Sequence, residues 1–234
     1  MTDGPVLLIV AGPNGSGKTT LTRQLRADQV DLGEYINPDD IAAALNGEYE
    51  ARVAEAQRMA DARRQDCLDR RASFSFETVM SHPSKIEVLK RARALGYFVL
   101  LFFVATESPE LNVARVRQRV ALGGHAVPED RIVARYRRTM GLLPDAIANC
   151  DRVVLFDNSY RDEAGGARLE PFCEIVRTAG KPSITRLVEG RIPNWADNLV
   201  DEPVRLTWSR PRLTSRAPDD DTAKDISRDI AVDS

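Results

Sequence analysis

The 234 residues carry 33 Lys and Arg against 35 Asp and Glu, with 43% apolar and 29% charged side chains. That composition suits one globular domain with a real core and excludes collagen-like, coiled-coil and globally disordered classes. A net charge of -2 argues against wholesale electrostatic binding to nucleic acid or to an anionic membrane.

Taken in chain order, Val6 to Val10 is a continuous apolar run, as in a strand buried on both faces. A helix is predicted over Thr19 to Ala27, a short strand at Tyr35 and Ile36, a helix over Asp39 to Leu45, and a long Ala-rich helix over Ala51 to Arg71. Phe74 and Phe76 alternate with Ser73 and Ser75 as in a strand. Pro83 to Leu95 reads as a helix stopped by Gly96. Phe98 to Val104 is the most apolar strand; helices over Pro109 to Leu122 and Pro128 to Ala148 and a strand over Val153 to Phe156 follow. This βα alternation implies an α/β chain, a parallel sheet flanked by helices. Beyond it, Arg168 to Val176 and Ser183 to Val188 flank Thr-Ala-Gly-Lys-Pro, which predicts a C-terminal β-hairpin addition. The expected division is one domain over 1–200 and a polar, mobile tail over 201–234, with Trp208 as a candidate anchor.

Three cysteines (Cys67, Cys150, Cys173) without C-x-x-C spacing support neither a disulfide framework nor a structural zinc site. With an N-terminus that lacks a basic leader, and a first apolar run too short to span a bilayer, they point to a cytoplasmic chain.

Gly12-Pro13-Asn14-Gly15-Ser16-Gly17-Lys18-Thr19 fits G-x-x-x-x-G-K-[ST] between an apolar strand and a helical segment, the pattern of a P-loop NTPase. Glycines let backbone N–H groups turn inward around phosphate oxygens, and the helix N-terminus adds positive potential. Lys18 would reach the β and γ phosphates, and the Thr19 hydroxyl would ligate Mg²⁺, with Thr20 beside it. The loop alone does not separate kinases from other NTPases, but no guanine-reading Asn-Lys-x-Asp follows. Asp157 closes a strand late in the chain with no second acid after it, so Asp157 and Asn158 suit an adenine-side or structural role better than metal binding.

Asn37-Pro38-Asp39-Asp40 ends the second strand and starts a helix, an edge where α/β folds bind ligands. A carboxylate there can accept the proton of an attacking hydroxyl, or simply cap the helix. The expected division is Asp39 as base and Asp40 as cap, with Asp40 on the acceptor side. Glu77, Thr78 and Ser81 gather a carboxylate and two hydroxyls at the next strand end, suiting a polyol or sugar; the alternative is that Glu77 orders Mg²⁺ waters or Lys18.

From Arg115 to Arg138 lie seven arginines and only two acids, Glu129 and Asp130. Arg131, Arg135 and Arg138 share one helical face, and Gly123-Gly124-His125 would hinge this helix to the one carrying Arg119. Closure of such a segment would stabilise charge on a transferring phosphoryl group and exclude water.

Together, the loop at 12–19, Ile36-Asn-Pro-Asp-Asp-Ile41, Ser75-Phe-Glu-Thr78, Gly123-Gly-His-Ala-Val-Pro128 with Arg135-Tyr-Arg-Arg138, and Phe156-Asp-Asn-Ser159 resemble the zeta toxin family of P-loop small-molecule kinases. The resemblance implies a nucleotide-kinase-like core that uses ATP and Mg²⁺. It implies an acceptor hydroxyl on a nucleotide sugar such as UDP-N-acetylglucosamine, and an antitoxin partner that blocks the ATP site. Carried onto this chain, it puts the base at Asp39, the phosphate lysine at Lys18, a substrate-contacting acid at Glu77, and a γ-phosphate clamp at Arg119, Arg135 and Arg138. The acceptor side then comprises Asp40, Glu77, Thr78, Ser81 and His125. The competing expectation is a P-loop ATPase or switch acting on a protein partner.

Overall fold

The computed structural model describes residues 4–124, 126–160, 169–178, 181–186 and 192–201. His125, Trp208 and the expected tail beyond residue 201 lie outside the described residues. The elements run β1 (Val6–Ala11), α1 (Lys18–Ala27), β2 (Glu34–Ile36), α2 (Pro38–Ala44), α3 (Tyr49–Arg70), β3 (Phe74–Thr78), α4 (Ser84–Ala94) and β4 (Phe98–Ala105). They continue as α5 (Pro109–Ala121), α6 (Glu129–Ala148), β5 (Arg152–Asp157), β6 (Glu170–Thr178), β7 (Lys181–Arg186) and α7 (Asn194–Asp201).

All seven strands form one sheet in the order β2-β3-β1-β4-β5-β6-β7. The first five are parallel, and the β6–β7 hairpin extends the β5 edge antiparallel. The central strands are apolar throughout because helices cover both faces, yet each side chain still alternates. Leu7, Ile9, Phe74, Phe76, Leu101 and Phe103 face one apolar cluster, and Leu8, Val10, Leu100, Phe102 and Val104 face another that includes Leu21 and Leu25 of α1.

That alternation fixes the site. Glu77 pairs in register with Val10, so it stands on the α1 face of the sheet at the carboxyl edge. β1 ends there and turns into the loop that starts α1, placing phosphate-binding backbone and acidic strand ends side by side.

One local expectation is corrected. α2 begins at Pro38 rather than Asp39, and its N-cap is Asn37, whose Oδ1 accepts from Asp39 N at 3.0 Å. Proline presets the first helical φ and asparagine satisfies an orphan N–H, so Asp40 is not needed as the cap. Within the described residues the C-terminal region is anchored by Trp195 of α7. Its ring lies 5.3 Å from Phe172 and 6.1 Å from Phe103, centroid to centroid, and its Nε1 donates to Asp157 Oδ1 at 3.0 Å.

Among the described residues no helix is long and apolar enough to cross a membrane.

Candidate active site

The 12–17 loop turns on glycines that nothing else could replace without movement. Gly12 has φ of +149°, and a Cβ on it would stand 2.0 Å from Val104 O; Gly17 has φ of +107°, and a Cβ there would meet Asn158 Nδ2 at 2.4 Å. Asn158 explains the second contact. Its side-chain amide donates to Ser16 O at 2.7 Å and its backbone N–H to Ala105 O, bracing the loop from beneath. Asp157 accepts from Ser159 Oγ and Trp195 Nε1, so it ties the loop's foundation to α7.

Lys18 curls over the loop and donates to Gly12 O at 2.9 Å and Pro13 O at 2.8 Å. Its ammonium is part-buried there, and that burial pushes its pKa down to about 8. Glu77 resists that shift, Arg119 adds to it, and Asp39 resists it more weakly. The three groups belong to separate elements: Glu77 to β3, Arg119 to α5 and Asp39 to α2.

Glu77 is held from two sides. Thr19 Oγ1 donates to its Oε2 and Tyr35 Oη to its Oε1, each at 3.0 Å. Parallel register explains the second bond: Tyr35 pairs with Ser75, and Glu77 lies two residues on, on the same face, within reach of an aromatic side chain. Arg26 lies 4.2 Å above the Tyr35 ring, fixing its plane, while burial and the Glu77 charge push the phenol pKa up so that it stays a donor. Sequence reading takes Tyr35 only as a strand residue, because its role appears only in the β2–β3 register.

The Thr19 hydroxyl and the Glu77 carboxylate are hard oxygen donors 3.0 Å apart at the mouth of the loop. Mg²⁺ characteristically takes one or two protein oxygens and completes its shell with phosphates and water, so this pair fits such an ion. Among the described residues no group of three or more His, Cys, Asp or Glu side chains could hold a metal without a nucleotide.

The arginines divide. Arg135 Nη1 comes within 3.5 Å of Asn14 Oδ1 on the loop, and Arg119 acts on Lys18 by charge. Arg138 and Arg131 are exposed, and Arg117 pairs with Glu129 across the turn between α5 and α6, at 2.7 Å from its Nη2. α6 itself is fastened down: Ile132 and Leu143 are buried, Tyr136 Oη donates to Thr106 O, and Thr139 Oγ1 donates to Val79 O, both at 2.7 Å. Arg135 is therefore presented by a helix bolted to the sheet, not by a swinging one. In the turn after α5, Gly123 has φ of +89°.

At the start of α2, Asp39 is exposed, and Asp40 lines an adjoining cleft with Tyr35 and Asn37. Thr78 Oγ1 accepts from Met80 N, and Ser81 is partly buried beyond it. Thr20 is exposed in the first turn of α1.

An uncharacterized protein of Haemophilus influenzae is 34% identical over 131 residues, covering 55% of this chain and 91% of that protein. Among solved structures, the crystal structure of AvrRxo1-ORF1:AvrRxo1-ORF2 with sulphate ions matches with a TM-score of 0.58 at 18% identity, over 77% of this chain and 61% of that one. The same pair with ATP gives a TM-score of 0.55 at 17% identity, over 77% of this chain and 60% of that one. This chain thus spans about three-fifths of those solved chains, and the likeness to them is one of fold. The profile described as Zeta toxin matches residues 2–161, and the chain belongs to the Zeta toxin family.

Proposed function

We propose that the protein is an ATP- and Mg²⁺-dependent kinase of the cytoplasm that transfers the γ-phosphoryl group to a hydroxyl of a small molecule. The observation that carries this reading is the arrangement at one edge of the sheet: Lys18 on the loop carbonyls, the Thr19–Glu77 hydrogen bond beside it, Tyr35 bridging from Glu77 to the cleft, and Asp39 at the start of α2 next to that cleft. A carboxylate at the start of α2 can take a proton from an acceptor hydroxyl or from water, and acceptor dependence separates the two.

In the proposed reaction the loop N–H groups and Lys18 hold the triphosphate, Lys18 exchanging two loop carbonyls for phosphate oxygens. Thr19 and Glu77 would hold Mg²⁺, which when bound neutralises charge on the β and γ oxygens. Asp39 accepts the proton of the acceptor hydroxyl as its oxygen bonds to the γ-phosphorus; the bond from that phosphorus to the β-bridging oxygen breaks and ADP leaves. Arg135, already at the loop, and Arg119 balance the negative charge spread over the transferring group, with Arg138 available on the same helix as Arg135. Thr78 and Ser81 stand beside Glu77 to orient the acceptor. Asn158 and Asp157 serve nucleotide binding by bracing the loop.

Family membership supports a role as the toxin of a toxin–antitoxin pair, with an antitoxin as protein partner and UDP-N-acetylglucosamine as the first acceptor to try. The ATP complex of the fold relative supports the choice of nucleotide. Incubation with γ-labelled ATP and a panel of nucleotide sugars, followed by mass spectrometry, tests the reading. Acceptor-dependent ADP formation matched by a phosphorylated product is expected, and acceptor-independent phosphate release would replace the kinase with an ATPase.

A further inference from the structure

β5 ends in two polar residues that leave the sheet on opposite sides. Val153 and Leu155 face the apolar cluster that holds Phe103 and Trp195, and Val154 and Phe156 face the one that holds Leu21 and Leu25 of α1, so Asp157 continues the first row. On that side Asp157 Oδ1 accepts from Trp195 Nε1 at 3.0 Å, and on the other Asn158 Nδ2 donates to Ser16 O of the phosphate loop at 2.7 Å. Asn158 N–H donates to Ala105 O, so the two side chains hang from one pinned peptide. Asn158 Oδ1 is buried and has no hydrogen-bond partner among the described residues, so the Nδ2 bond and the backbone that delivers the amide set its direction.

A bulge brings the indole to this point. Leu155 pairs with Cys173 but Phe156 with Pro171, which leaves Phe172 as the extra residue, and proline has no N–H to give the ladder. Neighbours on a regular strand face opposite ways, yet Phe172 and Cys173 both enter the cluster around Phe103. Phe172 meets the Trp195 ring edge-on, and that contact with Phe103 on its other side leaves the indole N–H at Asp157. Leu169, just before β6, has its Cδ2 3.9 Å from where a Cβ on Gly17 would stand. β6, β7 and α7 all follow residue 161, where the family match ends.

The same carboxylate reaches the arginine-bearing helix. Ser159 Oγ donates to Asp157 Oδ1 at 2.6 Å and accepts from Glu107 N at 2.9 Å, and the preceding Thr106 O takes the hydroxyl of Tyr136, next to Arg135 on α6. A buried carboxylate that loses one donor keeps the cost of its burial, so its hydrogen bonds weigh more than surface contacts.

Resting on the reading of the 12–19 loop as the nucleotide site, we propose that Trp195 is a positioning residue of that site: its N–H fixes Asp157 and, through Asn158, the phosphate loop. The segment after the family-matched residues is then part of nucleotide binding and not merely an added edge to the sheet.

Calorimetric titration of the full chain with a slowly hydrolysed ATP analogue and Mg²⁺ tests this, beside a thermal melt of each variant. Trp195→Phe keeps an aromatic ring and removes the N–H; the analogue should bind about three- to tenfold more weakly, a fraction of the value of a hydrogen bond to a charged group. Phe172→Leu thins the same packing and leaves the N–H, so it should lower the melting temperature with affinity within about twofold of the parent. In an Asp157→Ala background the acceptor is gone, and adding Trp195→Phe should cost less than a further twofold. Affinity unmoved in Trp195→Phe, an equal loss in Phe172→Leu, or an undiminished Trp195→Phe effect in Asp157→Ala would each overturn the proposal and leave the loop as the nucleotide site. A parent chain that does not bind the analogue would overturn the nucleotide reading itself, and this proposal with it.

Discussion

The two ends of the candidate active site are built differently. At the phosphate end nearly every group is fixed from beneath: glycines pressed against Val104 O and Asn158, Ser16 O held by Asn158, Lys18 on two loop carbonyls, and Glu77 between Thr19 and Tyr35. At the acceptor end, Asp39 and Asp40 are exposed on a short helix fastened by its Asn37 cap, beside an open cleft. A preorganised end thus faces an open one. The same contrast says where substitutions should strike binding and where they should strike chemistry.

The largest effect belongs to the rigid end. Lys18→Ala should lower nucleotide affinity on the order of 100-fold, and turnover with it, because charge-assisted bonds to the phosphates vanish. A fluorescent-nucleotide titration beside steady-state kinetics checks that the two fall together; intact affinity would break the comparison.

pH probes the same residue. In the free protein Lys18 has its pKa lowered to about 8, chiefly by burial, and bound phosphates raise it. Binding therefore takes up a proton once the pH exceeds about 8, and affinity should be constant below that value and fall by up to about tenfold per pH unit above it. Titration calorimetry in buffers of different ionisation heat reads this uptake directly. Stability of the free protein should move the other way: between about 8 and 10.5 the unfolded chain holds the proton that folded Lys18 has lost, so this residue's contribution rises with pH.

A smaller effect sharpens the boundary between the two ends. Tyr35→Phe removes one of two donors to Glu77 and leaves the ring beneath Arg26. Turnover should fall by about three- to tenfold, with the fold stable to within about 1 kcal/mol, as for a single hydrogen bond. A thermal melt together with kcat and KM for ATP checks it, and full activity would mean that Thr19 alone positions the glutamate.

The rigid end was also the legible one. Its sequence is contiguous, and G-x-x-x-x-G-K-T after an apolar run leaves a phosphate cradle as nearly its only reading. The β6–β7 hairpin could be read from turn residues between two β-rich runs. Strand order could not, because β1 lies between β3 and β4 through long-range pairing that no local pattern encodes. Tyr35 depends on that pairing, since only the β2–β3 register brings its hydroxyl to Glu77. Asn37 was missed for another reason. Two acids after a proline attract the eye, yet proline at the first helical position makes the residue before it the cap. The arginines of α6 were visible as a face, but their fastening through Tyr136 and Thr139 to carbonyls of other elements was not.

The contrast between the ends meets its sharpest test at Asp39, the acceptor-side carboxylate whose charge reaches Lys18. In Asp39→Asn, nucleotide affinity and single-turnover phosphoryl transfer to a confirmed acceptor should be measured on the same sample. The account predicts affinity within about threefold of the parent and transfer slowed by about 10²- to 10⁴-fold, the loss expected when a proton acceptor is removed. Transfer at the parent rate, or affinity and transfer falling by the same factor, would contradict it.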